Sequence, residues 1–330
     1  MLNMVQPDFV PNSICNKPSG HTTRFGSASR RSISTCLMPT ANDYKRWSTM
    51  RYFITGGTGF VGCYVVKELA QAGHQIVLFD LSPNRSFLED VLTPEELDQV
   101  RLVAGDVTDL PLILRTLNDA PPECIIHLAA TLGISSEAIP LRSLKVNCEG
   151  TVNIFEAALT FGVQKVVWAS SIAVFGPSRR RPPGEVTNAD FHQPNDLYGA
   201  CKSLNEQLGQ HYRRQRGLAC MGVRFSVVYG YGKALTIARG TGADFLQQLI
   251  DQPALGRAGV VPHGDEILDF LYVTDAARAV VAASQTRHNP SIGLNICGSR
   301  HTIRGWWAAI ISTSQKQVSA ATLESSKHDP

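Results

Sequence analysis

From Met50 onward, short apolar runs alternate with amphipathic stretches. The apolar runs predict strands at Tyr52–Thr55, Gln75–Phe79, Arg101–Ala104, Cys124–Leu128, Lys165–Ser170 and Ala219–Val227. Between them, recurrence at helical spacing predicts helices at Val61–Ala72, Leu110–Leu117, Leu144–Phe161 and Tyr198–Arg216. Unbroken apolar strands separated by helices indicate a parallel sheet covered on both faces. This is the doubly wound α/β architecture. After about Tyr229 the chain turns rich in Gly and Pro, with helical stretches near Ala243–Ile250 and Thr274–Ser284. A smaller lobe is expected there, interleaved with the end of the sheet. The expected division is 1–49, 50–228 and 229–330.

The first 49 residues differ from all that follow. They carry Lys17, Arg24, Arg30, Arg31, Lys45 and Arg46 against only Asp8 and Asp43, with many Ser, Thr and Pro. Without a sustained apolar period, disorder is expected. Two readings stay open: an organelle transit segment, and a translated upstream stretch with Met50 as the natural start. The expected compartment is the cytoplasm, or the mitochondrion if that segment is a working address.

Composition excludes several classes. Of 330 residues 43% are hydrophobic and 18% charged, ordinary for a chain with a sizeable core. A net charge of +3 implies neither nucleic acid nor an anionic membrane as partner. No apolar run approaches the roughly 18 to 20 residues needed to span a bilayer. The eight cysteines show no Cys-x-x-Cys spacing and no nearby His ladder, so reduced, mostly buried thiols are expected and no metal site.

Thr55-Gly56-Gly57-Thr58-Gly59-Phe60-Val61-Gly62 follows a strand and opens a helix. In that setting Gly56 permits a tight turn, Gly59 lets backbone approach a pyrophosphate, and Gly62 lets helix pack on strand. The helix N-terminus offers N–H groups and positive dipole to the phosphates. Asp80 ends the second strand, where an acid binds ribose hydroxyls and repels a 2′-phosphate, favouring NAD over NADP. Arg85 keeps NADP as the minority case. Asp106, after the third strand, suits an adenine amine, and would look the same as a helix cap before Leu110. The small residues Ala129 and Ala130, after His127-Leu128, let a flat cofactor lie against backbone; His127 itself reads as a structural histidine.

Tyr198 and Lys202 lie one helical turn apart on one face. A nearby ammonium stabilises phenolate and is expected to lower the phenol pKa from about 10 toward neutrality. Such a phenol can exchange a proton with a substrate hydroxyl while a nicotinamide exchanges the hydride. Ser171, just past the fifth strand, can hydrogen-bond the same substrate oxygen, since ligands lie beyond the carboxyl ends of such strands.

The stretch from Met50 to about Trp306 resembles the extended short-chain dehydrogenase/reductase superfamily, in its NAD-dependent epimerase/dehydratase branch. The glycine turn, Gly105-Asp106-Val107, His127-Leu128-Ala129-Ala130 and Asn147-x-x-Gly150-Thr151-x-Asn153 match it. So do Ser170-Ser171-x-x-x-Phe175-Gly176, Tyr198-x-x-x-Lys202, Val228-Tyr229-Gly230 and Asp269-Phe270-x-Tyr272-Val273-x-Asp275. The resemblance implies a Rossmann domain, a triad of Ser171, Tyr198 and Lys202, and a C-terminal substrate lobe. By the same motifs it implies cofactor contacts from Gly56, Gly59, Phe60, Val61, Gly62, Asp80, Asp106, Val107, Leu128, Ala129, Ala130, Asn147, Tyr198 and Lys202. A small-molecule substrate, a sugar or nucleotide sugar, is implied, and a homodimer formed through Leu144–Phe161 and Tyr198–Arg216.

Two departures weigh on the substrate. Nucleotide-sugar members usually carry Asn in the strand before Tyr-Gly and Arg immediately before Asp-Phe; here Val227 and Leu268 stand in those regions. Leucine cannot replace a bidentate Arg–phosphate contact, and Arg239, Arg257 and His263 are the candidate substitutes. Trp168-Ala169-Ser170-Ser171-Ile172-Ala173-Val174-Phe175-Gly176-Pro177 is similar to the short-chain type of L-threonine 3-dehydrogenase, which makes a small hydroxy acid the alternative substrate. A non-catalytic NAD(P)-binding protein is the rival from another class. After an expected helix near Thr302 the chain turns Ser- and Lys-rich, so a shortened lobe is expected, with Trp306 and Trp307 left exposed.

Overall fold

The computed structural model describes residues 49–177, 186–234, 264–286 and 292–309, with Leu246 and Leu249. The 1–49 segment (save its last residue), the run from 310, Arg239, Arg257, His263 and most of the helix expected near Ala243–Ile250 lie outside the described residues.

The first half is a regular alternation. Strand β1 (Arg51–Thr55) leads through the glycine turn into helix α1 (Phe60–Gln71), then β2 (Gln75–Asp80), α2 (Arg85–Val91) and the short α3 (Pro94–Leu97). Strand β3 (Val100–Ala104), α4 (Leu110–Asp119) and β4 (Cys124–His127) follow. Next come α5 (Gly133–Ala138), α6 (Pro140–Leu144), a π-turn at Lys145–Glu149, α7 (Gly150–Thr160) and β5 (Lys165–Ser171). A 3₁₀ turn (Ile172–Phe175) leads on toward α8 (Leu197–Arg216) and β6 (Cys220–Phe225). The main sheet has seven parallel strands in the order β3-β2-β1-β4-β5-β6-β9, where β9 is Gly293–Ile296. The doubly wound Rossmann architecture is therefore present.

Strand pleating explains why the runs are apolar throughout. Side chains alternate between faces: Tyr52, Ile54, Ile76 and Leu78 pack with α1 residues Val65 and Leu69. Phe53, Val77, Phe79 and Ile125 face the other way, against Ile113 of α4 and Phe155 of α7. Both faces are buried.

Two expected elements are divided. The strand expected at Ala219–Val227 is β6 plus β7 (Val227–Tyr229), separated at Ser226, whose hydroxyl donates to Asp269 at 2.5 Å. There the chain leaves the main sheet for a second one, β10-β8-β7, with β8 at Ile267–Tyr272 and β10 at Ser299–Thr302. The helix expected at Leu144–Phe161 is interrupted by the π-turn. The Asn147 carbonyl accepts from Thr151 Oγ1 (2.6 Å) and Asn205 Nδ2 (2.8 Å), which loosens the regular ladder there. Helix α9 (Val273–Gln285) returns to pack on α1 and the main sheet.

The tryptophans correct an expectation. Trp306, in a helical turn at 303–309, is only 4% exposed and stacks on Phe270 with centroids 4.3 Å apart. Trp307 is half-buried and donates to the Leu249 carbonyl at 3.1 Å. The second sheet needs a cover for its apolar face, and these rings supply it with Leu246, Leu249 and Ile303 against Leu268 and Phe270 of β8.

Candidate active site

The glycine turn is shaped by close backbone approach. Gly56 has φ +69°, and a Cβ there would sit 2.6 Å from the Ala129 nitrogen. A Cβ on Gly62 would meet backbone of Gly56 and Gly57, so α1 can sit on the turn only without one. Gly59 caps α1 with no side-chain hydrogen bond and the first turn carries no acid. The leading N–H groups are thus left to whatever anion reaches them. Leu128 and Ala129 are half-buried beside the turn, their N–H groups bonded to the Thr55 carbonyl and hydroxyl. Ala130 follows them, also half-buried.

The two acids sit where the strands end, and the chain already holds both. Asp80 Oδ2 accepts from Thr58 Oγ1 at 2.7 Å, linking the acid to the glycine turn. Arg85 is paired with Glu89 at 2.7 Å on the exposed side of α2. Asp106 accepts from Thr108 N (3.0 Å) and Arg142 Nη2 (2.7 Å). Burial pushes its carboxyl pKa up, but those two donors outweigh it and the net shift is downward. The cap of α4 is Asp109, not Asp106. Val107 is buried and its carbonyl accepts from Asn153. Asn147 acts as a strut: its amide bridges the Thr131 N–H (2.8 Å) and carbonyl (3.0 Å). His127 bonds Thr55 and Thr151; burial and then Lys202 push its pKa down to about 3, so it is neutral.

Ser171, Tyr198 and Lys202 are brought together by tight packing. Asp196 caps α8 by accepting from Gly199 N at 2.6 Å. A Cβ on Gly199 would lie 2.6 Å from the Ala173 carbonyl, so glycine lets the start of α8 press onto the turn that follows Ser171. Ser171 Oγ accepts from Ala173 N at 3.1 Å, and the same hydroxyl acts on the Tyr198 phenol to lower its pKa. Lys202, 4% exposed, donates to the Ala169 carbonyl at 2.7 Å, and its ammonium lies 5.5 Å from the Tyr198 ring centroid.

The expected drop of the Tyr198 pKa toward neutrality is corrected. Burial pushes the phenol up to about 12, against the lowering influence of the Ser171 hydroxyl. Burial likewise pulls Lys202 down to about 8, opposed by Cys201, Cys148 and Glu206. The ammonium, bonded to a strand carbonyl and 5.5 Å from the ring centroid, does not offset the burial of the phenol.

Sequence reasoning missed Arg142 on Asp106, and the buried Glu206–Arg224 pair beneath the triad. An arginine inside the apolar Ala219–Val227 run was the available signal for the second. Of the two departures, Leu268 is a core residue, 1% exposed, and Val227 is half-buried against the same cluster. Among the described residues no group of three or more His, Cys, Asp or Glu is placed to hold a metal, and no helix is long and apolar enough to cross a membrane.

A family model described as "NAD dependent epimerase/dehydratase family" matches residues 52–297. The UDP-glucose 4-epimerase of Mycolicibacterium smegmatis is 34% identical over 239 residues, 71% of this chain and 73% of that protein. UDP-glucuronate 4-epimerase 6 of Arabidopsis thaliana is 29% identical over 249 residues, 73% of this chain but only 53% of that protein. Among solved structures, the Thermus thermophilus UDP-glucose 4-epimerase in complex with NAD superposes with a TM-score of 0.64 at 25% identity, covering 80% of this chain and 83% of that one. A consensus L-threonine 3-dehydrogenase (TM-score 0.66, 22% identity, 80% of this chain and 82% of that one) shares the fold.

Proposed function

The chain belongs to the NAD dependent epimerase/dehydratase family, a family of enzymes, and on that premise we propose that it is an NAD-dependent 4-epimerase of a nucleotide sugar. The observation that carries this reading is the packing of Gly199, which presses the start of α8 and its Tyr198 onto the turn after Ser171 at the carboxyl end of β5, with Lys202 one turn on and bonded to the Ala169 carbonyl. The glycine turn, whose Gly56 and Gly62 positions admit no side chain, the α1 N-terminus without a side-chain cap and the small Ala129–Ala130 exit fit a dinucleotide. Gly56, Gly59, Phe60, Val61 and Gly62 would hold its pyrophosphate, and Asp80 a ribose diol, which supports NAD over NADP. Bound there, NAD supplies a hydride acceptor and donor.

The chain's own groups do the rest. Once its own proton has passed to solvent, Tyr198 Oη takes the proton from the substrate hydroxyl as a phenolate and returns it to the substrate oxygen when the hydride comes back. Ser171 Oγ donates to the oxygen as negative charge grows on it. Lys202 holds positive charge along the phenol ring, and an anion formed at Tyr198 is stabilised by it. The loop and second sheet that begin at Ser226 frame the substrate side. Exposed Ile139, Leu141 and Leu144 of the α5–α6 region, with Leu204 of α8, are the surface proposed for a homodimer.

The test is incubation with UDP-glucose and NAD, followed by separation of the sugar nucleotides and absorbance at the NADH band. Interconversion of the C4 epimers without accumulating NADH is expected. A second reading rests on Val227 and Leu268, apolar residues in the stretches where a substrate-facing Asn and a phosphate-binding Arg were expected. Under it a small hydroxy acid is oxidised, and stoichiometric NADH with L-threonine would replace the epimerase reading.

A further inference from the structure

Beneath the reacting groups lies an ion pair that the proton transfer does not use. Glu206 stands one turn after Lys202 on α8, and both of its oxygens are engaged. Oε1 accepts from Ser170 Oγ at 2.5 Å and from Arg224 Nε at 2.8 Å; Oε2 accepts from Arg224 Nη2 at 2.5 Å. Arg224 Nη1 donates to the Asn188 carbonyl (3.1 Å) and to Asn295 Oδ1 (3.2 Å). Its Nη2 lies 3.1 Å from His192 Nε2, and its guanidinium sits 4.8 Å over the Phe175 ring. Glu206 and Arg224 are 1% and 2% exposed.

Stability alone gives little reason for such a pair. Desolvating two charges cancels most of their attraction, and apolar residues of similar volume often do as well. What distinguishes this pair is where its bonds end. Ser170 precedes Ser171, Phe175 closes the turn after it, and Glu206 follows Lys202 by one turn. His192, bonded to Ser203 at 2.9 Å, ties the segment before Tyr198 to the same helix.

We propose that Glu206 and Arg224 are positioning residues: through Ser170 on β5 and the shared turn of α8, the pair sets Ser171 and Lys202 against each other from below. The other titratable groups around Lys202 are Tyr198 and Cys201 on its own helix, Cys148 on the π-turn and neutral His127 at the end of β4. Around Glu206 stand Arg224 and His192. The inference rests on the reading of Ser171, Tyr198 and Lys202 given above.

The experiment compares wild type with the double variant Glu206→Gln/Arg224→Gln, which strands no buried charge. Lys202 is titrated by ¹⁵N NMR of its Nζ in nucleotide-free protein, with Lys202→Met for assignment. The expected result is a folded protein whose Lys202 midpoint falls by about one pH unit. With it, kcat should fall about tenfold or more while KM changes little. A folded double variant with the wild-type midpoint and wild-type kcat overturns the proposal. Should that variant not fold, Ser170→Ala removes only the bond to Glu206. A loss of kcat of about tenfold at unchanged NAD affinity is then expected, and unchanged kcat refutes the positioning role. Wild-type turnover in Tyr198→Phe would defeat the reading of the reacting group instead, and leaves the Lys202 titration as a separate measurement.

Discussion

The Lys202 ammonium donates to the Ala169 carbonyl at 2.7 Å, tying the helix that carries Tyr198 to the strand that ends in Ser171. Spacing along one helix could not show this bond, and it changes how the two ionisable groups divide their work. At neutral pH the free protein holds a neutral phenol and a mostly charged amine.

That division predicts the pH profile. Tyr198→Phe should lower kcat about 10²- to 10⁴-fold while NAD affinity stays within twofold. Because kcat/KM reports the free enzyme, its alkaline limb should fall near pH 8, where Lys202 loses its proton. In Lys202→Arg, whose charge persists, residual activity should lack that limb. A limb unchanged in the arginine variant would assign it to another group.

The cradle makes a steric prediction. In Gly62→Ala the new methyl meets the backbone of Gly56 and Gly57, which can yield only by reshaping the turn. NAD affinity should weaken about tenfold or more, against a loss of stability of about 1–3 kcal/mol. Calorimetric titration with NAD beside urea unfolding separates the two effects.

Cofactor choice should rest on Asp80. Asp80→Asn removes the charge that would repel a 2′-phosphate and weakens the tie to Thr58. NAD affinity should fall and NADP affinity rise, moving their ratio about tenfold or more. An unchanged ratio would show that the acid serves the turn alone.

Acid should unfold the protein through its buried histidines. His127 is held to about 3 in the folded protein, against about 6.5 when unfolded. Below pH 6.5 the unfolded chain therefore binds the proton first, and stability is lost as pH falls from about 6.5 to 3. Between pH 7 and 5 the expected loss from His127 is about 2 kcal/mol. His74 and His192, shifted the same way by burial, add to it. Urea unfolding of His127→Asn at both pH values should show a flatter dependence than wild type.

The second sheet depends on Trp306. Its ring stacks on Phe270 and meets Tyr229 edge-on at 5.0 Å. Trp306→Ala should cost about 3–5 kcal/mol, read by thermal melting. If the reading of the substrate side holds, KM for the sugar nucleotide should rise more than that for NAD.

By itself the sequence determined the elements and their class, because strand and helix periods and glycine requirements are local. The run Tyr52–Thr55, the glycine turn and the Tyr198–Lys202 spacing are legible without a partner in space. Tertiary structure alone decided what each polar atom touches. The division at Ser226 follows from Asp269, the π-turn from Asn205, and the grip on Asp106 from Arg142. It also decided the charges: the phenol's upward shift comes from burial that no spacing reveals, and Trp306 is covered because a distant strand presents Phe270 to it. Hydrogen bonds and desolvation act over a few ångströms between residues far apart in the chain, and only the folded arrangement supplies those distances.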